Sequence, residues 1–465
     1  MHINEIDEFL EHREKRVAHQ EKLLRNSDGI TLATVRVNYP GIEKSNFITD
    51  NIAKIIYNDI SIFKEKNITY KEIYKNKEGL IGHFIFNIDN ITIKKFLVNM
   101  EENHILGRCV DLDVYYIKED EQVHKGEICG TSRSDLGFSS RRCFLCDEEA
   151  RICSRSGNHS INDIKKYFEN KYEEYLIYKS KRDEVSYNIS QLALKGIISE
   201  VSTMPSFGLV SPSTMGSHND MDYYTFIDSS FAIIPFIKDM AAIGYSYETP
   251  KNIFRAIRSI GIQCEKKMFE DTKGVNTHKG MIFLIGVLSA GIGKAIHENL
   301  PFQDIENIIK DMCENILDDL KGIDKKEDLT HGERLYLNHG FTGIRGEVKD
   351  GLQKIFNDVL PEHIASDLKG HKLYANTLLK LMSKVEDSTI VHRQSREKLY
   401  EIQSHAKRIL DLGGFTTEKG IVAAMEFESR CIEENISPGG SADLLAAIIF
   451  LVGASSLFKK YDDKY

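Results

Sequence analysis

Two aspartates stand one residue apart in a segment that alternates between polar and apolar side chains. Asp111 and Asp113 alternate with Val110, Leu112 and Val114, and this pattern predicts a β-strand that places both carboxylates on one face. Two carboxylates at this spacing can jointly hold a Mg²⁺ ion through hard oxygen ligands, an arrangement that places phosphates in nucleotidyl transfer. The alternative is that the pair is the solvent-exposed face of an ordinary strand.

Three cysteines and a histidine follow at a spacing that could bind a metal. Cys143 and Cys146 form a C-x₂-C pair, and Cys153 and His159 come after it. Such a set could hold a tetrahedral Zn²⁺ ion, although reduced thiols packed as small apolar groups explain the same residues. Arginines near these two motifs favour an anion site, or else form a solvated basic patch. The candidate phosphate-binding arginines are Arg108, Arg141, Arg142 and Arg155.

The second half of the chain carries short motifs in which glycine adjoins a carboxylate or a base. They lie in residues 208–228, 276–280, 330–333, 340–347, 386–393 and 437–444. The motifs adjoin stretches of apolar residues at helical spacing, which predicts loop–helix junctions whose free N–H groups can bind phosphate. Turn or capping chemistry explains any one of them. Together, they favour a single metal–phosphate site built from converging junctions.

Individual side chains in these motifs suggest local structure as well as chemistry. Ser217 and Asp220 fit a capping box at the start of a helix. On that helix, His218 and Asp222 would lie four residues apart and could share a face. Lys279 stands at a predicted helix start, where its charge opposes the helix dipole. Phosphate binding therefore explains Lys279 better than helix stability does.

The elements that must position these residues change in character near residue 185. Before it, helical and strand patterns mix without a strict βαβ rhythm, which predicts an α+β domain over residues 1–182. Beyond it, apolar residues recur at helical spacing with almost no strand pattern, which predicts an all-α domain over residues 186–465. The polar segment 179–188 is the predicted linker, or equally a helix.

Composition restricts the classes of function. The chain has 465 residues, with 70 acidic and 61 basic side chains and a formal net charge of −9, whereas a general nucleic-acid binder needs a basic surface. The longest apolar run, residues 444–452, is too short to cross a bilayer, and the polar, acidic start is not a signal or transit peptide. The eight cysteines are then expected to be reduced. We expect a cytoplasmic protein without nucleic-acid or membrane partners.

The motifs together carry a resemblance to two enzyme families. Residues 208–226, NTHKG, THGE, GIRGE, EDSTIVHR and SPGGSADLLA resemble the triphosphoribosyl-dephospho-CoA synthase family. The first half resembles the holo-citrate lyase synthase family, also called apo-citrate lyase phosphoribosyl-dephospho-CoA transferase. That likeness rests on LATVRVNYPG (32–41), HILGRCVDLDV (104–114) and RRCFLCDEEARICSRSGNHS (141–160). Natural fusions of the two enzymes in this order are known.

The resemblance implies two sequential reactions. The helical half would join ATP to 3′-dephospho-CoA, giving 2′-(5″-triphosphoribosyl)-3′-dephospho-CoA and adenine. The mixed half would transfer the phosphoribosyl-dephospho-CoA unit to a serine of the citrate lyase acyl carrier protein, the γ subunit, and release pyrophosphate. This second step is a nucleotidyltransferase-type transfer, which strengthens the interpretation of Asp111 and Asp113 as catalytic metal ligands. It adds nothing to the interpretation of the cysteines as zinc ligands.

For the helical half, the implied reaction assigns roles to the candidate residues. A Mg²⁺ ion bound to the ATP triphosphate would take its ligands from Asp220, Asp222, Asp387 and Asp443. The remaining triphosphate charge would be neutralised by Lys279, Arg345 and Arg393. Glu333 or Glu347 would accept the proton of the 2′-hydroxyl as it attacks the ribose C1. His218 is a candidate acid for the departing adenine.

Three other hypotheses stay open. The same chemistry could serve malonate decarboxylase. A helical Mg²⁺ glycohydrolase could cleave N-ribosyl bonds with water, a hypothesis that adenine release dependent on dephospho-CoA would exclude. A binding protein could join a zinc knuckle to a nucleotide-sensing helical domain, which stoichiometric zinc without adenine release would favour.

Overall fold

The structure, a computed structural model, describes residues 2–120, 123–323, 329 and 331–462. The chain divides into two compact units, Met1–Lys181 (unit 1) and Arg182–Tyr465 (unit 2). Unit 1 combines a sheet with helices, and the described part of unit 2 contains helices and no strand beyond an isolated bridge between Ser211 and Thr214. The α+β and all-α predictions are confirmed at this level.

Unit 1 is built on a five-stranded antiparallel sheet in the order β2-β3-β1-β4-β5. Its strands are β1 (Thr31–Val37), β2 (Ile68–Asn76), β3 (Gly79–Phe86), β4 (Val110–Asp120) and β5 (Val123–Thr131). Nearly every residue of β3 is buried, and so are the first five residues of β1. Burial of consecutive residues means that both faces of the sheet are covered there. The predicted strand of alternating aspartates and apolar residues is β4.

The helices of unit 1 are α1 (His2–Asn26), α2 (Phe47–Phe63), α3 (Asn90–Asn103) and α4 (Ala150–Ser156), followed by the long α5 (Ile161–Val201). Side-chain caps fix two of their starts: Asn46 caps α2, and Asp89 caps α3 by accepting from the N–H of Thr92 at 2.8 Å. α3 packs against β4. The segment 179–188 is helical rather than a flexible linker, because α5 runs through it without a break.

Beyond α5, unit 2 contains α6 (Tyr223–Gly244), α7 (Pro250–Asp271), α8 (Lys279–His297), α9 (Ile305–Cys313), α10 (His331–His339), α11 (Ile344–Lys349), α12 (Leu360–Ile364), α13 (Gly370–Lys384), α14 (Ser388–Arg393), α15 (Arg396–Asp411), α16 (Glu418–Glu433) and α17 (Gly439–Asp462). α8 and α17 contact each other. Both helices are buried on nearly every side and form the centre of the unit.

These two central helices correct the expectation that no segment is long enough to span a membrane. Among the described residues, Lys279–His297 and Gly439–Tyr461 have sufficient length and mean hydropathies of 1.6 and 1.9. However, 83% and 72% of their apolar windows are buried inside the protein. A helix surrounded by other helices must be apolar on every side, so burial in unit 2 accounts for their composition.

The predicted start of α6 is wrong. The helix begins only after Asp222, whose carboxylate accepts the backbone N–H three residues further on at 2.8 Å. The predicted cap, Ser217, instead donates its hydroxyl to the carbonyl of Ile436 at 2.5 Å. Asp220 therefore caps nothing, and His218 and Asp222 do not share a helix face. A tertiary contact has taken the hydroxyl that the local sequence offered to the helix.

Candidate active sites

A pocket of about 790 Å³ in unit 1, called here the transfer pocket, collects charged residues from several elements. Asp111 and Asp113 of β4 line it together with Arg141 and with Arg151 and Arg155 of α4. The side chains of the two aspartates are 31% and 37% exposed, whereas the apolar residues that alternate with them are buried. The strand geometry thus brings both carboxylates to one open, anion-rich and cation-rich surface.

Glu101 is a pocket residue that the sequence did not single out. Its carboxylate is 2% exposed and accepts from the backbone N–H of Leu112 at 3.2 Å and from Arg133 at 2.9 Å. It also forms an ion pair with Arg141, which in turn donates to Asp111 Oδ1 at 2.5 Å. Glu101 therefore holds two arginines beside the aspartates. No local motif marks it, because its position depends on the packing of α3 against β4.

Arg36 supplies the partner of the second aspartate. The register of β1 and β4 places Arg36 opposite Asp111, and its Nη2 lies 2.8 Å from Asp113 Oδ2 and 3.9 Å from Asp111 Oδ2. Burial by itself lowers the pKa of Arg36, but Asp113 and then Asp111 raise it, so the net shift is upward. In this pocket the carboxylates of β4 and α3 each have an arginine partner, and a polyanion could compete for those arginines.

The other arginines predicted to bind phosphate take different positions. Arg155 lines the transfer pocket. Arg108 donates to the backbone carbonyls of Arg142 and Cys143, so it fastens the segment that carries the cysteines. The Arg142 side chain is 67% exposed and lies 3.4 Å from Asp147. Of the four predicted arginines, Arg141 and Arg155 therefore line the pocket.

The four candidate zinc ligands come together in unit 1. One ligand atom from each of Cys143, Cys146, Cys153 and His159 lies within 4.8 Å of all the others. His159 Nε2 is 3.2 Å from Cys146 Sγ, which is 3.8 Å from Cys153 Sγ. A tetrahedral ion with Zn–S bonds of about 2.3 Å separates its sulfurs by about 3.8 Å. The donor set and its spacing fit Zn²⁺.

In unit 2 the motif segments meet around α14 and the start of α17. Asp387, the N-cap of α14, accepts from the backbone N–H groups of Gly440 at 3.2 Å and Ser441 at 2.7 Å. Gly343 of the GIRGE segment packs beside Ser388, whose Oγ would lie 3.7 Å from an added Cβ. The THGE segment opens α10, which contacts α14. The predicted convergence of loop–helix junctions is therefore present around α14.

The loop before α6 joins the same junction. His218 Nε2 is 3.0 Å from Ser437 Oγ, and Arg393 at the end of α14 donates to the carbonyl of Ser217 at 3.2 Å. Burial and then Arg393 lower the pKa of His218. The neutral imidazole therefore predominates at pH 7, and the protonated form that departing adenine would need is scarce.

Three carboxylates of unit 2 lie close enough to perturb one another's ionisation. Burial, and then Asp387, raise the pKa of Asp443 on α17 to about 8. Burial, and then Asp443, raise the pKa of Glu200 on α5 to about 8. Burial also raises the pKa of Asp387. The charges that shift Glu200 and Asp443 are carboxylates alone, so a bound cation would relieve the repulsion. We call Glu200, Asp387 and Asp443 the carboxylate group.

Within this group the three residues differ in what they can offer a ligand. Both oxygens of Asp387 already accept hydrogen bonds, including the Ser441 hydroxyl at 2.9 Å and the N–H of Thr389 at 3.0 Å. Among the described residues, no donor lies within hydrogen-bond distance of the Glu200 or Asp443 carboxylates. Glu200 was missed from the sequence because it sits inside a long helix without any motif.

Glycine at position 280 shapes the same place. A Cβ added to Gly280 of the NTHKG segment would collide with Asp443 Oδ2. Only glycine lets the start of α8 approach the carboxylate this closely. The NTHKG motif therefore contributes a close backbone contact to the carboxylate group.

The remaining candidates of unit 2 have other partners. Lys279 Nζ lies 3.0 Å from Glu265, and Glu347 accepts from Lys354 at 2.8 Å. Arg345 lines a separate pocket of about 180 Å³. Glu333 is buried on α10, and Asp220, 58% exposed, lies 3.9 Å from His218. Together with the helix cap Asp222, none of these residues shares a hydrogen bond with the carboxylate group in the described chain.

Two family profiles match the chain. ATP:dephospho-CoA triphosphoribosyl transferase (CitG) matches residues 186–462, and apo-citrate lyase phosphoribosyl-dephospho-CoA transferase (CitX) matches residues 4–175. Protein CitXG of Leuconostoc mesenteroides is 30% identical over 464 residues, 96% of each chain. Protein CitXG of Haemophilus influenzae is 32% identical over 463 residues, again 96% of each chain. A probable 2-(5''-triphosphoribosyl)-3'-dephosphocoenzyme-A synthase of Vibrio cholerae is 38% identical over 279 residues, 58% of this chain and 89% of the relative.

Proposed function

The chain belongs to the CitX and CitG families, joined in one polypeptide, and from this premise we propose which residues carry each of its two reactions. It is a transferase that makes triphosphoribosyl-dephospho-CoA and attaches the prosthetic group to the apo-citrate lyase acyl carrier protein. We propose residues 1–182 as the transferase domain and residues 186–465 as the synthase domain, both acting in the cytoplasm. ATP, 3′-dephospho-CoA and the carrier protein are the proposed substrates. The match to a citrate lyase transferase disfavours the malonate decarboxylase and binding-protein hypotheses.

The observation that carries the assignment in unit 1 is the meeting of Asp111 and Asp113 with arginines in one pocket. The carrier serine would attack the phosphorus next to the ribose, the bond to the pyrophosphate would break, and pyrophosphate would leave. We propose that Arg141 and Arg133 bind this leaving group, because carboxylates now occupy them and phosphate oxygens offer stronger bidentate partners. Arg36 would keep Asp113 ionised and oriented.

Two carboxylates that share one partly exposed strand face are a donor set that fits Mg²⁺. Asp111 and Asp113 would hold the ion, which would neutralise charge on the leaving pyrophosphate. The nucleotidyltransferase-type chemistry of unit 1 is proposed on this basis. Cys143, Cys146, Cys153 and His159 would hold a separate Zn²⁺ ion.

In unit 2 we propose that Glu200 and Asp443 hold Mg²⁺, because they are buried carboxylates with raised pKa values and no hydrogen-bond donor among the described residues. The ion would bind the ATP triphosphate. Asp387 would act from behind, since its hydrogen bonds fix the start of α17 and hence the position of Asp443.

The first reaction also needs a base for the 2′-hydroxyl of dephospho-CoA, which attacks the ribose C1 of ATP while the bond to adenine breaks. Glu333 and Glu347 stay the proposed candidates, with Glu347 neutralised by Lys354 in the absence of substrate. Arg393 is held beside the loop of His218, where it would meet a triphosphate entering along α14. Lys279 and Arg345 are proposed as further contacts to phosphate.

One experiment tests both activities. The purified protein is incubated with ATP, Mg²⁺ and dephospho-CoA, and adenine is measured by chromatography, after which apo-carrier protein is added and its mass determined. We expect adenine only when dephospho-CoA is present, and a carrier mass increase equal to one phosphoribosyl-dephospho-CoA. Adenine release without dephospho-CoA would instead support the glycohydrolase hypothesis.

A further inference from the structure

Residues 141–159, called here the Cys–His module, form a hairpin followed by a short helix. The hairpin is closed by hydrogen bonds from the N–H of Ala150 to the carbonyl of Arg141 and from the N–H of Cys143 to the carbonyl of Glu148, both 2.8 Å. The C-x₂-C pair occupies its tip, α4 carries Cys153, and His159 follows the helix. The four possible ligands therefore come from three consecutive local elements, as in small structural zinc sites.

The module contains little apolar packing of its own. Phe144 packs against the rings of Tyr167 and Phe168, with centroids 5.1 Å and 5.5 Å apart. By contrast, Ile152 of α4 is 55% exposed and Leu145 is 41% exposed. A helix of 7 residues is far shorter than an isolated helix needs for stability. A bound metal supplies in such segments the folding energy that a core otherwise provides.

The face of α4 opposite the cysteine belongs to the transfer pocket. Arg151 and Arg155 are four residues apart and lie on one face of α4, and both line the pocket with Arg141. Cys153 lies midway between them in sequence, which turns its side chain to the other side of the helix, where it is 3% exposed. One rigid turn of helix thus carries the metal ligand on one side and two pocket arginines on the other.

We propose that Zn²⁺ bound by Cys143, Cys146, Cys153 and His159 fixes the arginine wall of the transfer pocket, so that binding of pyrophosphate in unit 1 depends on a zinc ion outside the pocket. The inference rests on the proposed function of that pocket. Three thiolates outweigh the two charges of the ion, so zinc does not attract the phosphates itself. It acts by holding Arg141, Arg151 and Arg155 in place, and the four ligands are positioning residues.

The test uses the full-length protein as purified. Zinc is measured by mass spectrometry, removed with a chelator selective for zinc over Mg²⁺, and then restored. Binding of Mg²⁺–pyrophosphate is measured by calorimetry in all three states. We expect one zinc per chain, at least a tenfold loss of pyrophosphate affinity without zinc, and recovery when zinc returns. Adenine release by unit 2 should be unchanged throughout.

Variants separate placement from simple unfolding. Arg151→Ala should keep its zinc and still lose pyrophosphate affinity, whereas Cys146→Ser should lose both. Cys129→Ser, a cysteine of β5 outside the module, should lose neither. Cobalt in place of zinc should give the strong absorption of a tetrahedral thiolate site, a signature independent of activity.

The outcomes distinguish this inference from the proposed function. Unchanged pyrophosphate affinity after zinc removal, or a protein that loads carrier at the full rate with no zinc, would overturn the inference. If pyrophosphate binding follows zinc but the zinc-loaded protein never loads the carrier, the proposed function of unit 1 fails while the zinc dependence of the pocket stands.

Discussion

The transfer pocket of unit 1 and the carboxylate group of unit 2 handle negative charge in opposite ways. In unit 1, Asp111 and Glu101 contact Arg141, and Asp113 contacts Arg36. In unit 2, the charges that perturb Glu200 and Asp443 are other carboxylates. The first site has its counter-charges built into the protein, whereas the second lacks them and must recruit a cation or bind protons.

This difference has a consequence for how each site uses a metal. Where arginines are present, a phosphate group can exchange with the carboxylates and gain strong hydrogen bonds before any metal contributes. Where they are absent, a divalent cation is the main source of attraction for a triphosphate. We therefore expect loss of a carboxylate to be more damaging in unit 2 than in unit 1.

The largest effect should come from Asp443→Asn and Glu200→Gln. Each removes one of two negative charges that no arginine or lysine replaces, so adenine release should fall by roughly 10³-fold or more. The assay is chromatography of adenine, with carrier loading from supplied triphosphoribosyl-dephospho-CoA as the measure that unit 1 is intact. Asp220→Asn, an exposed carboxylate from the neighbouring motif, serves as the matched control. A Glu200→Gln protein with normal adenine release would remove Glu200 from the site.

Asp113→Asn should have the next largest effect, on carrier loading alone. Asparagine keeps the shape of the side chain but loses most of its attraction for Mg²⁺. We expect about a 10²-fold decrease in loading rate, less than in unit 2 because the pocket arginines still bind pyrophosphate. Carrier mass over time gives the rate, and Asp163→Asn on α5 is the surface control. Loading at the wild-type rate would make the aspartate pair an ordinary solvent-exposed strand face.

The same comparison shows how far sequence patterns reach. Alternation along β4 predicted the shared face of Asp111 and Asp113, and residue spacing brought the three cysteines and His159 into one candidate site. Neither pattern could reveal Glu101 or Glu200, because their importance comes from helix packing between segments distant in sequence. The error at Ser217 has the same origin, since the carbonyl that receives its hydroxyl lies more than two hundred residues away.

Glu101→Gln should produce a smaller effect in unit 1. The neutral amide loses the charge that holds Arg133 and Arg141 together, while the aspartates stay in place. We expect the apparent affinity for triphosphoribosyl-dephospho-CoA to weaken about tenfold, with a lesser effect on the maximal rate, because the arginines act mainly in binding. Steady-state loading kinetics separate the two quantities. A loss confined to the maximal rate would instead place Glu101 in the chemical step.

The smallest effect is one of stability, and it has the opposite direction from the loss of activity. A folded-state pKa of about 8 for Glu200, against an ordinary value near 4.5 in the unfolded chain, means that the folded protein binds the extra proton between these pH values. Wild-type stability should therefore fall, relative to Glu200→Gln, as pH rises from about 4.5 to about 8, and the difference should level off above that. In Mg²⁺-free buffer, Glu200→Gln should melt at a higher temperature than wild type at pH 8, with little advantage at pH 5. Addition of Mg²⁺ at pH 8 should stabilise wild type more than the variant, because only wild type keeps both acidic ligands. Thermal unfolding at the two pH values, with and without Mg²⁺, makes the comparison, and Asp220→Asn again controls for a change in net charge. Equal melting temperatures for wild type and Glu200→Gln at pH 8 would mean that a counter-charge already compensates Glu200, and the contrast between the two units would then disappear.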